Sequence, residues 1–119
     1  MANPFVHIEL HTKDMDRSKT FYTNLFNWEL EEFPSMDYTI IKAGEGTGGG
    51  IMKNPMPDGP DNWLPYILVD DIAAFTTKAA SLGATIVQDV TEVPDMGWLS
   101  VIVDPTGAAV GLWQPKTAM

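Results

Sequence analysis

Near the start of the chain, the stretch HIELH places His7, Glu9 and His11 at alternate positions, with Ile8 and Leu10 between them. On a strand, successive side chains point to opposite faces. Phe5, His7, Glu9 and His11 then share one face, and Val6, Ile8 and Leu10 the other. Two imidazoles and a carboxylate can bind a metal or move a proton. As a metal site the stretch falls short by itself. At a strand rise of about 3.3 Å per residue, the two histidines stand about 13 Å apart along the backbone. Metal–nitrogen bonds are only about 2 Å long. His7 with Glu9 is a feasible pair, but a catalytic zinc takes about three protein ligands. Glu29, Glu31 and Glu32 fit better as a solvated acidic face. The competing bland reading is a histidine bonded to a backbone carbonyl or to water.

The remaining chemistry is sparse. Serines stand at 18, 35, 81 and 100, none in a G-x-S-x-G setting, so no nucleophile is indicated. EGTGGG (45–50) has no following Lys-Ser/Thr and no helix, which excludes a phosphate loop and suggests a flexible hairpin or lid. PDMGW (94–98) is a second expected lid. The methionines Met52, Met56 and Met96 suit an adaptable surface or plain core filling.

These residues must be positioned by a repeated order of elements. Asp14 caps a helix through DMDRSKTFYTNLFNW, with Met15, Phe21, Tyr22, Leu25 and Phe26 on one face and Asn27 as a left-handed stop. WELEEF, YTIIKA and GGIMK follow as short strands. NPMPDGPDN (54–62) reads as a linker. The order then repeats. WLPYILV is a strand, and DDIAAFTTKAASLGA a helix with Ile72, Phe75 and Ala79 on a stripe and Gly83 as its stop. TIVQDV, WLSVIVD and AVGLWQ are strands. Within VDPTGAAV, Pro105 and Gly107 mark a hairpin turn. The expected fold is α+β: two βαβββ modules, residues 1–53 and 63–119, joined by the linker into one compact domain.

Composition narrows the function. The chain has 119 residues, no cysteine and a formal net charge of −9. Disulfides and thiolate ligands are excluded. The charge and the lack of a basic stripe speak against nucleic acid. No signal peptide or apolar span of about 20 residues is evident, so the expected setting is the cytoplasm, with no membrane.

Three stretches, HIELHTKDMDRSKTFYTNLFNW, VDDIAAFTTKAASLGA and VDPTGAAVGLWQP, resemble the vicinal oxygen chelate superfamily of glyoxalases, bleomycin-resistance proteins and extradiol dioxygenases. The resemblance implies curved sheets forming a cleft, with metal ligands on the first and last strand of each module. Those four positions fall on His7, Gly50, Leu64 and Gly111, only one of which can ligate. It therefore implies no metal and no cofactor. On that reading the cleft takes a small organic molecule between His7, His11, Trp63, Met96, Trp98 and Trp113, while Trp28 is core. The alternatives are a divergent glyoxalase- or dioxygenase-like enzyme with His7 as the candidate catalytic base, and an interaction module whose cleft is filled. Relatives of this type often pair, so a homodimer is expected.

Overall fold

The computed structural model describes residues 3–56 and 58–116. Among them the order is β1 (Phe5–Thr12), α1 (Met15–Leu25), β2 (Glu29–Phe33), β3 (Tyr38–Lys42), β4 (Gly49–Lys53), β5 (Asn62–Leu68), α2 (Ile72–Ser81), β6 (Thr85–Val93), β7 (Gly97–Val103) and β8 (Ala109–Pro115). The doubled βαβββ order is therefore the architecture of the chain. Two compact units carry it. One is Val6–Leu64; the other takes the chain from Pro65 onward with the N-terminal residues through Phe5. No helix among the described residues is long and apolar enough to cross a membrane.

In the first unit the strands run β2-β3-β4-β1. β1 and β4 are parallel, with Glu9 opposite Gly50, and β3 is antiparallel to β4. Leu10, Ile41 and Ile51 are buried on the helix-bearing face, with Met15, Tyr22, Trp28 and Leu30 packed against them. Asp14 caps α1, its Oδ1 accepting the Arg17 N–H at 3.1 Å. This satisfies one of the orphan donors of the first turn. The helix does not end as expected. Phe26 closes it in an extended conformation, φ −119°, with its N–H on the Tyr22 carbonyl. Asn27 has no positive φ; among described non-glycine residues only Asp37 and Asp95 do. The apolar face of α1 is also narrower than its sequence suggests. Tyr22 packs inward, while Phe21, Leu25 and Phe26 remain exposed.

Among its described residues the stretch 54–62 has no regular structure up to Asn62, which opens β5, yet it is tied down within this unit. Asn54 is buried, and its Nδ2 donates to the Pro60 carbonyl and to Asp61 Oδ1, each at 3.1 Å. Asp61 Oδ1 also accepts the Lys13 N–H at 3.1 Å. The Asn54 amide first, and the Lys13 N–H with it, hold the Asp61 carboxyl below its usual range. The segment is thus fastened to the β1–α1 junction.

In the second unit the order is β5-β8-β7-β6. β5 and β8 are parallel, with Tyr66 opposite Gly111. Val69, Ile72 and Leu112 form the core, with Ile67, Phe75, Val90 and Trp98 against it. Asp71 repeats the cap, its Oδ1 accepting the Ala74 N–H at 3.1 Å. Gly83, at φ 101°, follows the helix in the left-handed region that glycine enters without a steric cost. Inside, the Thr76 and Ser100 hydroxyls bond at 2.9 Å, and Thr76 returns its proton to the Ile72 carbonyl. At the β7–β8 hairpin the Gly107 N–H reaches the Asp104 carbonyl at 3.0 Å with Gly107 at φ 98°.

Both expected lids are partly strand. Gly49 and Gly50 belong to β4, and only the residues before them form the loop. Gly97 and Trp98 belong to β7, and Pro94–Met96 is a tight turn with the Met96 N–H on the Val93 carbonyl. The glycines in these strands serve close approach: a Cβ on Gly49 would stand 2.1 Å from the Ile8 carbonyl oxygen, and one on Gly97 2.3 Å from that of Gln114.

Candidate functional site

Alternation along β1 sends Leu10 into the core and leaves His7, Glu9 and His11 on the face away from α1. The outcome is a hydrogen-bonded chain of four side chains. His7 Nε2 lies 2.7 Å from the Tyr38 hydroxyl. That hydroxyl donates to Glu9 Oε2 at 2.8 Å. Glu9 Oε1 lies 2.8 Å from His11 Nε2. Glu9 and His11 are nearly shut off from solvent, at 7% and 9% exposure, whereas His7 is half-buried. His7 is thus the more exposed histidine of the chain and His11 the more buried one.

The electrostatics follow from burial. Taking an imidazole out of water penalises its charged form, so burial pushes His7 below the ordinary 6.5, and the Glu9 charge offsets this only in part. A buried carboxylate is costly unless it is paired and hydrogen-bonded. Glu9 meets that requirement at both oxygens. No buried side-chain nitrogen or oxygen among the described residues lacks a partner.

Tyr38 escaped the sequence reading, which weighed Glu9 as a metal partner of His7 and not as the centre of a hydrogen-bonded chain. Tyr38 opens β3, 31 residues from His7. Two signals were available. Glu9 shares the face of His7 and His11, and Gly50 stands in a strand where a side chain would ordinarily pack. A Cβ on Gly50 would lie 1.8 Å from the Tyr38 hydroxyl oxygen. The glycine is what admits the phenol.

The same trade appears in the second unit. A Cβ on Gly111 would lie 2.3 Å from ring carbons of Tyr66. The pairings Glu9 with Gly50 and Tyr66 with Gly111 give both modules one frame. Two residues earlier on the first strand of each module stand His7 and Leu64. The four positions His7, Gly50, Leu64 and Gly111 do not fit a metal ion. They offer one imidazole, a buried leucine, and two glycines whose side-chain space tyrosines fill. Catalytic zinc takes about three ligands. Among the described residues no group of three or more His, Asp or Glu side chains could hold one.

The other candidate residues fall in separate places. Trp63 stands edge-on to Tyr22, ring centroids 5.5 Å apart, on the helix side of its unit and thus across β1 from His7. Trp98 packs on the helix-side core of the second unit, with Lys116 Nζ 5.5 Å above its ring. Trp113 alternates with core Leu112 and so lies on the face away from α2, beside Gly97. Met96 is exposed in the β6–β7 turn. His7 and His11 are the two candidates that the structure joins in one network.

Known proteins share this frame. Residues 4–44 match a family described as "Bleomycin resistance protein-like N-terminal". The chain is 36% identical over 120 residues to the Mycobacterium tuberculosis protein CFP32, named as a candidate glyoxylase; the match covers 90% of this chain and 44% of that protein. It is 25% identical over 123 residues to the anthracycline biosynthesis protein DnrV of Streptomyces peucetius, covering 89% of this chain and 45% of that one. The chain therefore spans somewhat under half the length of these relatives. The crystal structure of methylmalonyl-CoA epimerase from Mycobacterium tuberculosis superposes with a TM-score of 0.70 at 13% identity, covering 95% of this chain and 88% of that one.

Proposed function

We propose, from the match of residues 4–44 to the bleomycin-resistance-like family and the similarity to CFP32, that the chain is a member of the vicinal oxygen chelate superfamily and binds a small organic molecule at the strand face carrying His7, without a metal at the family's ligand positions. One observation carries the reading. The family's first-strand ligand position holds a histidine, yet that histidine is bonded to Tyr38, whose hydroxyl takes the space of the next ligand position, Gly50. A half-buried, neutral imidazole held by a fixed polar chain is a group that orients a ligand. Ligand sites combine a few such polar groups with apolar surface. Within its own unit His7 stacks with the Tyr38 ring, centroids 6.4 Å apart, and the two rings give the face an aromatic surface. Aromatic ligands suit it, and an anthracycline, a planar phenolic ring system, is a rational first probe given the resemblance to DnrV.

The test is a titration with daunorubicin, read as tryptophan quenching and as a rise in melting temperature. Binding is expected to weaken about tenfold in His7→Ala, the equivalent of about 1.4 kcal/mol. Equal stabilisation of the native chain and of His7→Ala would place recognition elsewhere.

A second reading is favoured by the depressed pKa of His7: a neutral imidazole is able to take a proton from a substrate. The chain would then be a glyoxalase-like enzyme with His7 as base. Turnover of the hemithioacetal of methylglyoxal and glutathione, lost in His7→Ala, distinguishes the two.

The proposal includes a cytoplasmic homodimer. The lack of cysteine suits a reducing compartment. Pairing is what the resemblance to this family implies. Light scattering that returns a monomer at micromolar concentration would overturn the dimer.

A further inference from the structure

We infer that Tyr38 is a positioning residue: its hydroxyl, admitted by Gly50 and anchored on Glu9, holds His7 as the tautomer protonated at Nε2. The direction of the hydrogen bonds makes the argument. An ionised carboxylate only accepts, so Glu9 Oε2 takes the single phenolic proton at 2.8 Å. The Tyr38 oxygen is left as an acceptor. At 2.7 Å from it, His7 Nε2 must therefore carry the proton. Glu9 is fixed in turn, because its other oxygen lies 2.8 Å from His11 Nε2. Of the three groups that set the tautomer, two lie on β1 and Tyr38 on β3, two strands away across β4.

Gly50 is the condition for this arrangement. A Cβ there would stand 1.8 Å from the hydroxyl oxygen and 2.2 Å from the ring carbon bearing it. Any other residue at 50 displaces the phenol and frees the His7 ring. A metal-binding side chain at that position and the Tyr38–His7 contact are thus mutually exclusive. In the neutral ring the lone pair then resides on Nδ1. A ligand group received by that nitrogen must bring an O–H or an N–H, as a phenol or enol does. The inference rests on the reading of His7 as a ligand contact. Its test runs without ligand, so the two fail separately.

The test is long-range proton–nitrogen NMR of the two histidines at neutral pH in the native chain, Tyr38→Phe and Gly50→Ala. In the native chain His7 is expected to show a pyrrole-type Nε2 and a pyridine-type Nδ1. In Tyr38→Phe both nitrogens should move toward the averaged shifts of an unlocked ring, while His11, held by Glu9, keeps its pattern. Gly50→Ala should reproduce the change with every member of the chain still present. A native His7 protonated at Nδ1 overturns the inference, whether or not either variant folds. So does a Tyr38→Phe spectrum in which His7 is unchanged. A loss of dispersion that moves both histidines alike marks a structural role and also overturns it.

Discussion

The first strands of the two modules hold the same frame and carry different chemistry. Glu9 pairs with Gly50, and Tyr66 with Gly111, in parallel register. Around Glu9 the face away from the helix holds His7, His11 and Tyr38: Tyr38 and His11 bond the carboxylate, and His7 bonds the Tyr38 hydroxyl. Around Tyr66 the corresponding positions are Leu64 and Leu68, with Trp113 opposite Leu68. The helix faces differ in the other sense. α2 buries Ile72 and Thr76, while α1 buries no residue fully. The comparison teaches that the repeat conserves backbone register and the glycine–tyrosine trade, and that side chains can be exchanged on top of both. Among the described residues, it is in the first module that a buried carboxylate is bonded by a histidine and a tyrosine.

The contrast can be broken most strongly at its buried end. His11→Ala removes a donor from a carboxylate that is almost fully buried, and such a loss is expected to cost about 3 kcal/mol. Urea denaturation of the variant should show it. A cost under about 1 kcal/mol would mean that water replaces the imidazole freely.

The two glycines sharpen the comparison next. Gly111→Ala meets the Tyr66 ring from Cγ outward, at 2.3–2.9 Å, whereas Gly50→Ala meets the far end of the Tyr38 side chain. Overpacking costs typically about 1–3 kcal/mol. Gly111→Ala should lie toward the upper part of that range and Gly50→Ala toward the lower, because the tip of a side chain swings away more easily than its root. Equal denaturation midpoints would contradict this. Within the second module, Thr76→Val leaves the buried Ser100 hydroxyl without its 2.9 Å partner. A loss of about 1 kcal/mol is expected by the same measurement.

The smallest effect concerns pH. The folded pKa of His7 lies below its unfolded 6.5. The unfolded chain therefore binds more protons in the window just below 6.5, and stability falls as the pH drops through it. Replacing His7 with Gln should flatten this part of the stability–pH curve. An unchanged slope would assign the acid sensitivity to other groups.

Much of the fold was legible in single residues. Asp14 and Asp71 announce two helix starts, Gly83 one helix end, and Gly107 a hairpin, because each supplies a cap or a backbone conformation that few residues can. Asn27 misled for the same reason: its tolerance of the left-handed region is a permission, and Phe26 ends the helix in extended form without it. Phe21, Leu25 and Phe26 misled because periodicity marks a face but not what lies against it. In the site, the shared face of His7, Glu9 and His11 could be read from alternation alone. So could the scarcity of ligands at His7, Gly50, Leu64 and Gly111.

By itself, then, the sequence determined the doubled βαβββ order, its caps, and which β1 side chains turn from the core, since all of these depend on neighbours a few residues away. Only the tertiary structure decided what those side chains do. Tyr38 reaches Glu9 across 29 positions of chain, and the contact exists because β4 lies between their strands with no side chain at Gly50. That is a fact of sheet register and of one absent Cβ, and no local pattern encodes the distance between two strands.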